Sequence, residues 1–143
     1  MTDAIMREFA RAFCDALASH DPHLIAPWLA DDIDWTIYGP VDLFPFFGQR
    51  RGKAAVVAMC AEIDACLALK TCDKEVRLND GAQSAALLKF AAEHKPSGRA
   101  LSLRMAMFAE VHEGKLKRFR GVFDTFDAAE QALGREIDLS AAA

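Results

Sequence analysis

Charged side chains interrupt three strand-like stretches of the chain, at Asp34, Arg104 and Asp124. Strict alternation along the first stretch gives two faces, with Asp34, Thr36 and Tyr38 on one and Ile33, Trp35 and Ile37 on the other. If Asp34 faces an apolar cavity, desolvation raises its pKa and suits the carboxyl group to acid–base chemistry. If it faces water, it is an ordinary surface carboxylate. The pattern leaves both interpretations open.

The other charged candidates lie on the later strands. Asp124 ends the last predicted strand, where it serves either as an acid or as a helix cap or salt-bridge partner. Arg104 interrupts an apolar strand and needs a partner if it is buried. It either pairs with Asp124, binds a substrate oxyanion, or lies on the surface or at a dimer interface. Arg118 and Arg120 share a strand face, which favours an anionic ligand or a solvated face.

Large aromatic side chains are concentrated between Trp35 and Phe47, which predicts the wall or lid of an apolar cavity. Tyr38 is the only tyrosine, and its hydroxyl could donate a hydrogen bond to a ligand carbonyl. Each candidate for the lining could equally be ordinary core. The candidates are Trp28, Trp35, Phe44, Phe46, Phe47, Met59, Met105, Met107, Phe119 and Phe123.

Composition and motifs exclude several classes of function. The net charge of −4 and the pI near 5.5 argue against nucleic acid and anionic membranes as partners. The histidines and cysteines lack metal-ligand spacing, and we find no phosphate loop or nucleophile elbow, so no metal or cofactor is expected. Neither a signal peptide nor a membrane span is apparent, which favours a cytoplasmic protein with reduced thiols.

Helices come first and strands follow in the elements that must hold these residues. Apolar residues at helical spacing predict a helix over 3–19, and Asp21 and Pro22 begin a second one. The remaining predicted elements are a strand at 34–38, a turn at 48–52, a helix over 53–69, strands up to 78 and over 85–94, 100–111 and 116–126, and a short helix over 128–133 capped by Asp127. This order predicts a single α+β domain over residues 1–143.

Three motifs connect this order to a known group of proteins. They are Ala30-Asp31-Asp32 before the Trp35 strand, Gly48-Gln49-Arg50-Arg51-Gly52-Lys53 before the long helix, and Glu113-Gly114-Lys115-Leu116 followed by Phe119 and Phe123-Asp124. Over residues 7–126 the chain resembles the SnoaL-like polyketide cyclases, within the superfamily of ketosteroid isomerase and nuclear transport factor two. The resemblance implies a cystatin-type cone, in which a curved antiparallel sheet wraps around a long helix and encloses a cavity.

The resemblance also indicates which catalytic groups to expect. Ketosteroid isomerase uses a strand acid, a tyrosine of the first helix and a second carboxylic acid. Here Ile37 lies near the first position, the first helix has no tyrosine, and Arg104 and Met107 lie near the third. Steroid isomerisation by that mechanism is therefore not expected. The similarity to SnoaL-like cyclases instead places an acid at Asp124.

These observations predict a cone that binds a small hydrophobic or aromatic molecule and forms a homodimer through the outer face of its sheet. One hypothesis is an acid/base lyase, cyclase, isomerase or hydrolase. Asp124 would be its acid/base, Asp34 a second candidate, Arg104 or Arg120 the charge stabiliser, and Tyr38 and Trp35 would orient the substrate. The alternatives are a non-catalytic ligand-binding or sensor module and an interaction domain whose cavity is only core.

Overall fold

Six strands form one curved, unclosed sheet in the computed structural model, which describes residues 1–140. The elements in chain order are α1 (Thr2–Ser19), a 3-10 helix (Pro22–Trp28), β1 (Leu29–Tyr38), β2 (Gly48–Arg51), α2 (Lys53–Cys66), β3 (Leu67–Asp80), β4 (Gln83–His94), β5 (Arg99–His112), β6 (Lys115–Phe123) and α3 (Thr125–Leu133). The strand order is β2-β1-β6-β5-β4-β3. The predicted α+β cone is confirmed.

Three hairpins connect β3, β4, β5 and β6. Their turns contain Gly81, Gly98 and Gly114, whose φ angles of 58°, 72° and 74° lie in the left-handed region that favours glycine. All neighbouring strands pair antiparallel except β1 and β6, which run parallel. The sequence predicted the hairpins from their turn residues, but it did not indicate the parallel pair.

Several element boundaries differ from those predicted. β1 begins at Leu29, because pairing with Leu116 of β6 extends it through the two aspartates assigned to the end of a helix. The predicted turn at 48–52 is mostly strand β2, which pairs with β1. α2 ends at Cys66, where Leu67 has the extended backbone that starts β3.

The core lies between the helices and one face of the sheet, which we call the inner face. Ile33, Trp35 and Ile37 of β1 point to it and are buried. α1 contributes Met6 and Phe9 to the same apolar cluster. Alternation therefore separated the two faces of β1 correctly, and the more apolar set is the inner one.

Residues 39–47 form an aromatic loop between β1 and β2 that packs against the core. Its side chains Phe44, Phe46 and Phe47 are all buried. Arg50 holds the loop against α2, since its Nη2 donates to the Pro45 carbonyl at 2.7 Å and to a Glu62 carboxylate oxygen at 2.8 Å. The loop is therefore attached to the body by a side chain as well as by its two ends.

Candidate functional site

The inner face gathers most of the predicted lining residues around one apolar interior. The Trp35 indole stacks on the Phe119 ring, with centroids 3.9 Å apart and planes 12° from parallel. Phe9 of α1 meets the same indole edge-on at 6.0 Å. The predicted residues that are buried here are Trp35, Phe46, Phe47, Met59, Met105, Met107 and Phe119, with Trp28 and Phe123 partly buried against them.

Side chains fill this interior closely. A Cβ atom added at Gly121 would lie 3.0 Å from the Met105 sulfur and 3.3 Å from the Phe119 ring. Such contacts are tight, so the lining residues also form ordinary core packing. A ligand must displace side chains in order to enter, and methionines are the residues best able to move.

Two hydrogen-bonding groups in the interior have no partner among the described residues. They are the indole Nε1 of Trp35 and the hydroxyl of Ser84, on residues that are 2% and 3% exposed. Both lie in one cross-strand row of the inner face, since Trp35 pairs with Phe119, Phe119 with Ala109, and Ala109 with Ser84. A buried polar group without a partner costs roughly 1–3 kcal/mol, so each needs an explanation.

The aromatic loop lies over the end of the interior that is formed by the last residues of β4 and β6. Phe47 packs against Phe123 with centroids 5.7 Å apart, and Phe44 meets the His94 ring edge-on at 5.8 Å. A Cβ atom added at Gly39 would lie only 2.2 Å from the Phe47 ring. The Phe47 ring can therefore occupy this position only because Gly39 has no side chain.

His94 is a buried titratable residue that sequence reasoning missed as a candidate. It is 9% exposed, and its Nδ1 lies 2.7 Å from the Ser97 hydroxyl oxygen. That contact leaves Nε2 as the nitrogen through which His94 would reach a ligand. The signal was present in the alternation of Phe90, Ala92 and His94, which share the inner face of β4.

Asp34 lies on the opposite, outer face of the sheet. Its carboxylate accepts a hydrogen bond from Arg120 at 2.9 Å and one from Gln49 at 3.3 Å, and Arg51 lies 3.9 Å away. The hydrogen bond from Arg120 is the main cause that lowers the pKa of Asp34, and the same pair raises the pKa of Arg120. The condition for an acid–base role, a cavity-facing carboxyl with a raised pKa, is not met.

The remaining polar candidates also lie away from the interior. Asp124 is the N-cap of α3, where it accepts a hydrogen bond from the Asp127 amide at 3.1 Å, so Asp124 and not Asp127 begins that helix. Arg104 is exposed and pairs with Glu75 at 3.1 Å instead of with Asp124. Tyr38 is 52% exposed on the outer face, beside the Asp34–Arg120 pair. Among the residues predicted to contact a ligand, Tyr38 and Arg120 thus lie outside the interior.

Two further features are absent from residues 1–140. No group of three or more His, Cys, Asp or Glu side chains in that range is arranged to hold a metal ion. No helix of the described chain has the length and apolar character needed to cross a bilayer.

Comparison with known proteins gives a family match and several structural neighbours. A model of the SnoaL-like domain family matches residues 10–119. A solved structure from Rhodopseudomonas palustris, provisionally described as an isomerase, is 38% identical with a TM-score of 0.89, and the match covers 94% of this chain and 100% of that one. No curated protein sequence matches the chain at a significant level.

Two more distant structures share the fold and contain ligands. TerC, co-crystallised with polyporic acid, is 16% identical with a TM-score of 0.71, over 88% of this chain and 96% of that one. A protein from Catenulispora acidiphila with a ketosteroid isomerase-like fold, in complex with trimethylamine, is 12% identical with a TM-score of 0.71, over 90% and 93%.

Proposed function

The chain belongs to the SnoaL-like domain family, and from this premise we propose that the interior of its cone binds a small hydrophobic or aromatic molecule. The buried indole N–H of Trp35, without a partner in an apolar interior, is the observation that carries the proposal. Ligand sites combine an apolar lining with a few polar groups that fix orientation. A carbonyl oxygen of the ligand would accept the hydrogen bond from Nε1 while its apolar part packs against Phe119.

Entry of the ligand requires the interior to open. Met105 and Met107 have flexible side chains that can repack around a ligand. The aromatic loop provides a second route, because the Arg50 contacts that hold it lie partly at the surface. Bound polyporic acid and trimethylamine in two proteins of the same fold support a cone that admits small molecules.

A matched pair of probes tests the role of Trp35. Calorimetry compares 2-acetylnaphthalene, which carries a carbonyl acceptor, with naphthalene, which does not. We expect the unmodified protein to bind the ketone about 5- to 10-fold more tightly than naphthalene. This ratio corresponds to one hydrogen bond of about 1–1.4 kcal/mol. Trp35→Phe keeps an aromatic ring but removes the N–H, and should abolish this preference while naphthalene still binds.

Trp28→Phe is the control, since Trp28 is the other tryptophan and lies outside the Trp35 row. It should leave the preference for the ketone unchanged. If the unmodified protein binds neither probe, or if Trp35→Phe keeps the preference, the proposal is wrong.

Acid–base catalysis at the end of the interior that the aromatic loop covers is a second candidate, favoured by the buried ring of His94 beside Phe44. We place His94 first as the proton-transfer group. Asp124, the carboxylate predicted from the sequence, is the second choice, because it caps α3 outside the interior although it directly follows Phe123. Asp34 and Arg104 are poorly placed, because both form ion pairs on the outer face.

Exchange of the methyl protons of 2-acetylnaphthalene in D2O tests this candidate by NMR, because enolisation needs a base. Faster exchange that is lost in His94→Gln, with binding retained, would support His94, and loss only in Asp124→Asn would assign the role to that carboxylate. Binding of the ketone without any acceleration would leave a non-catalytic module.

We also propose that two copies of the chain associate through the outer face of the sheet. Large apolar side chains are exposed there, with Phe108 at 56% and Leu78 at 68%, and Tyr38, Val76 and Val122 also exposed. Contiguous exposed apolar surface of this kind indicates an interface. Light scattering should give the mass of a dimer, and Phe108→Arg should give a monomer.

Leu24→Arg serves as the matched control, because Leu24 is an exposed apolar residue of the 3-10 helix and not of the sheet. It should leave the dimer intact. A monomeric unmodified protein would contradict the proposed association.

A cytoplasmic location and a single domain over residues 1–143 complete the proposal. All four cysteines are free thiols, which supports a reducing compartment. Cell fractionation tests the location, and a single cooperative unfolding transition tests the domain assignment.

A further inference from the structure

Cys14 of α1 and Cys72 of β3 line the same open hollow of about 480 Å3 between α1, the end of α2 and the start of β3. Both residues are exposed, whereas Cys60 and Cys66 are buried. We propose that Cys14 and Cys72 are a dithiol–disulfide site, in which one intramolecular bond forms on oxidation and links α1 to β3. This site is separate from the cone interior and does not depend on the function proposed for it.

The contacts between α1 and β3 bring the two thiols to the same height. Asp3, near the start of α1, accepts hydrogen bonds from Arg77 at 3.2 Å and from Asn79 at 3.3 Å, near the end of β3. Cys14 is eleven residues further along the helix, a distance of about 16 Å. Cys72 is five residues back along the strand from Arg77, a distance of about 13–16 Å with the irregularity between them taken into account. The two elements run antiparallel, so these steps lead in the same direction.

Both cysteines also lie on the facing sides of their elements. Eleven residues are close to three full turns of a helix, so Cys14 projects from the same side of α1 as Asp3. Residues directly opposite in neighbouring strands share a face, and Cys72 pairs with Phe90 while Arg77 pairs with Ala86. Phe90 and Ala86 lie on the same face of β4, because they are four residues apart.

A register shift in β3 is what makes this possible. Five residues separate Cys72 from Arg77, an odd number that would normally put them on opposite faces. The shift between Lys74 and Val76 adds one residue and restores the common face. Cys72 is thereby turned toward α1 instead of away from it.

The electrostatics agree with this proximity. Partial desolvation at the wall of the hollow, and after it the charge of Asp15, raises the pKa of Cys14. Partial desolvation is also the main cause that raises the pKa of Cys72, and the charge of Cys14 is the next. Each thiol is therefore mostly protonated at neutral pH, so the reaction proceeds through a minor thiolate fraction.

The reaction is an exchange with a low-molecular-weight disulfide, for which oxidised glutathione is the probe. One protein thiolate attacks a glutathione sulfur, the glutathione S–S bond breaks, and a glutathione thiolate leaves and takes up a proton. The second protein thiolate then attacks the protein sulfur of this mixed disulfide and releases the second glutathione. The protein loses two electrons and two protons, and one oxidised glutathione becomes two reduced ones.

The experiment treats the folded full chain with oxidised glutathione, alkylates it after denaturation, and measures intact and peptide masses. We expect the number of alkylated thiols to fall from four to two, with a linked pair of peptides that contains Cys14 and Cys72. Cys14→Ser and Cys72→Ser should each retain one glutathione as a mixed disulfide instead. Reduction should restore all four thiols.

Three results would overturn the proposal. They are stable glutathione adducts on both residues without a link, a link only between separate molecules, and loss of Cys60 or Cys66 in place of the exposed pair. The two serine variants differ from the unmodified chain by one surface atom each, so we expect them to fold normally. Their circular dichroism spectra check this.

Discussion

Replacement of Gly39 by alanine should open the aromatic loop at a cost that the structure allows us to work out. The added Cβ atom would lie 2.2, 2.3 and 2.9 Å from three atoms of the Phe47 ring. Alanine suits the backbone, because Gly39 does not have the positive φ of the turn glycines. The ring must therefore move out of a buried position, since Phe47 is only 2% exposed.

The expected loss is about 2–3 kcal/mol, the usual cost of overpacking and of withdrawing a buried phenylalanine ring from the core. For a chain of this length that corresponds to a melting temperature lower by about 6–9 °C. Urea denaturation followed by circular dichroism measures the free energy of unfolding.

A double-mutant cycle separates the steric clash from any other effect of the methyl group. Phe47→Ala alone should cost about 3–5 kcal/mol, since it leaves a cavity. Gly39→Ala added to that variant should cost less than about 0.5 kcal/mol, because no ring remains to be displaced. Equal costs of Gly39→Ala in the two backgrounds, or no cost in the unmodified protein, would refute the reasoning.

Three further predictions concern groups outside the loop. Asp34→Asn should remove about 1 kcal/mol of stability at neutral pH. Because folding lowers the pKa of Asp34, this contribution is present above the unfolded pKa and disappears as the pH falls through the folded one, so the two proteins should converge in acid denaturation curves. Asp124→Ala should cost about 1 kcal/mol in urea denaturation, whereas Asp124→Asn keeps the helix cap and should cost far less; equal costs would contradict the capping role. Burial raises the pKa of Cys60 to about 11, so its alkylation in the folded protein at pH 7.5 should be far slower than in urea, and comparable rates would show that the thiol is accessible.

The fold could be predicted because its signals are local. The turns at Gly81, Gly98 and Gly114 and the helical spacing of α1 each depend on a few neighbouring residues. Boundaries that depend on distant partners were missed, as at Leu29, whose place in β1 is set by Leu116 of β6.

The polar groups of the site were harder to predict, for the same reason. Asp34 finds its partner Arg120 86 residues away, and no local pattern indicates that pair. The apolar residues were easier to predict. Trp35 and Phe119 lie on strands whose side chains alternate between two faces, and a large aromatic side chain favours the buried face. His94 lies where a strand runs into a turn, a position typical of an exposed histidine, so only its alternation with Phe90 indicates that it is buried.

The parallel pair of β1 and β6 has a consequence for the order in which the molecule assembles. β1 emerges early during synthesis, yet β6, one of the two strands that flank it, is the last of the sheet. Trp35 therefore has no Phe119 ring to stack on until residue 119 has been synthesised. Such long-range pairing is slow, and the aromatic segment stays uncovered meanwhile. During refolding, pulsed hydrogen exchange should therefore find the amides of β3 to β5 protected before those of β1. Until β6 has been synthesised, the apolar side chains around Trp35 are exposed to solvent, and the chain is then most prone to aggregate.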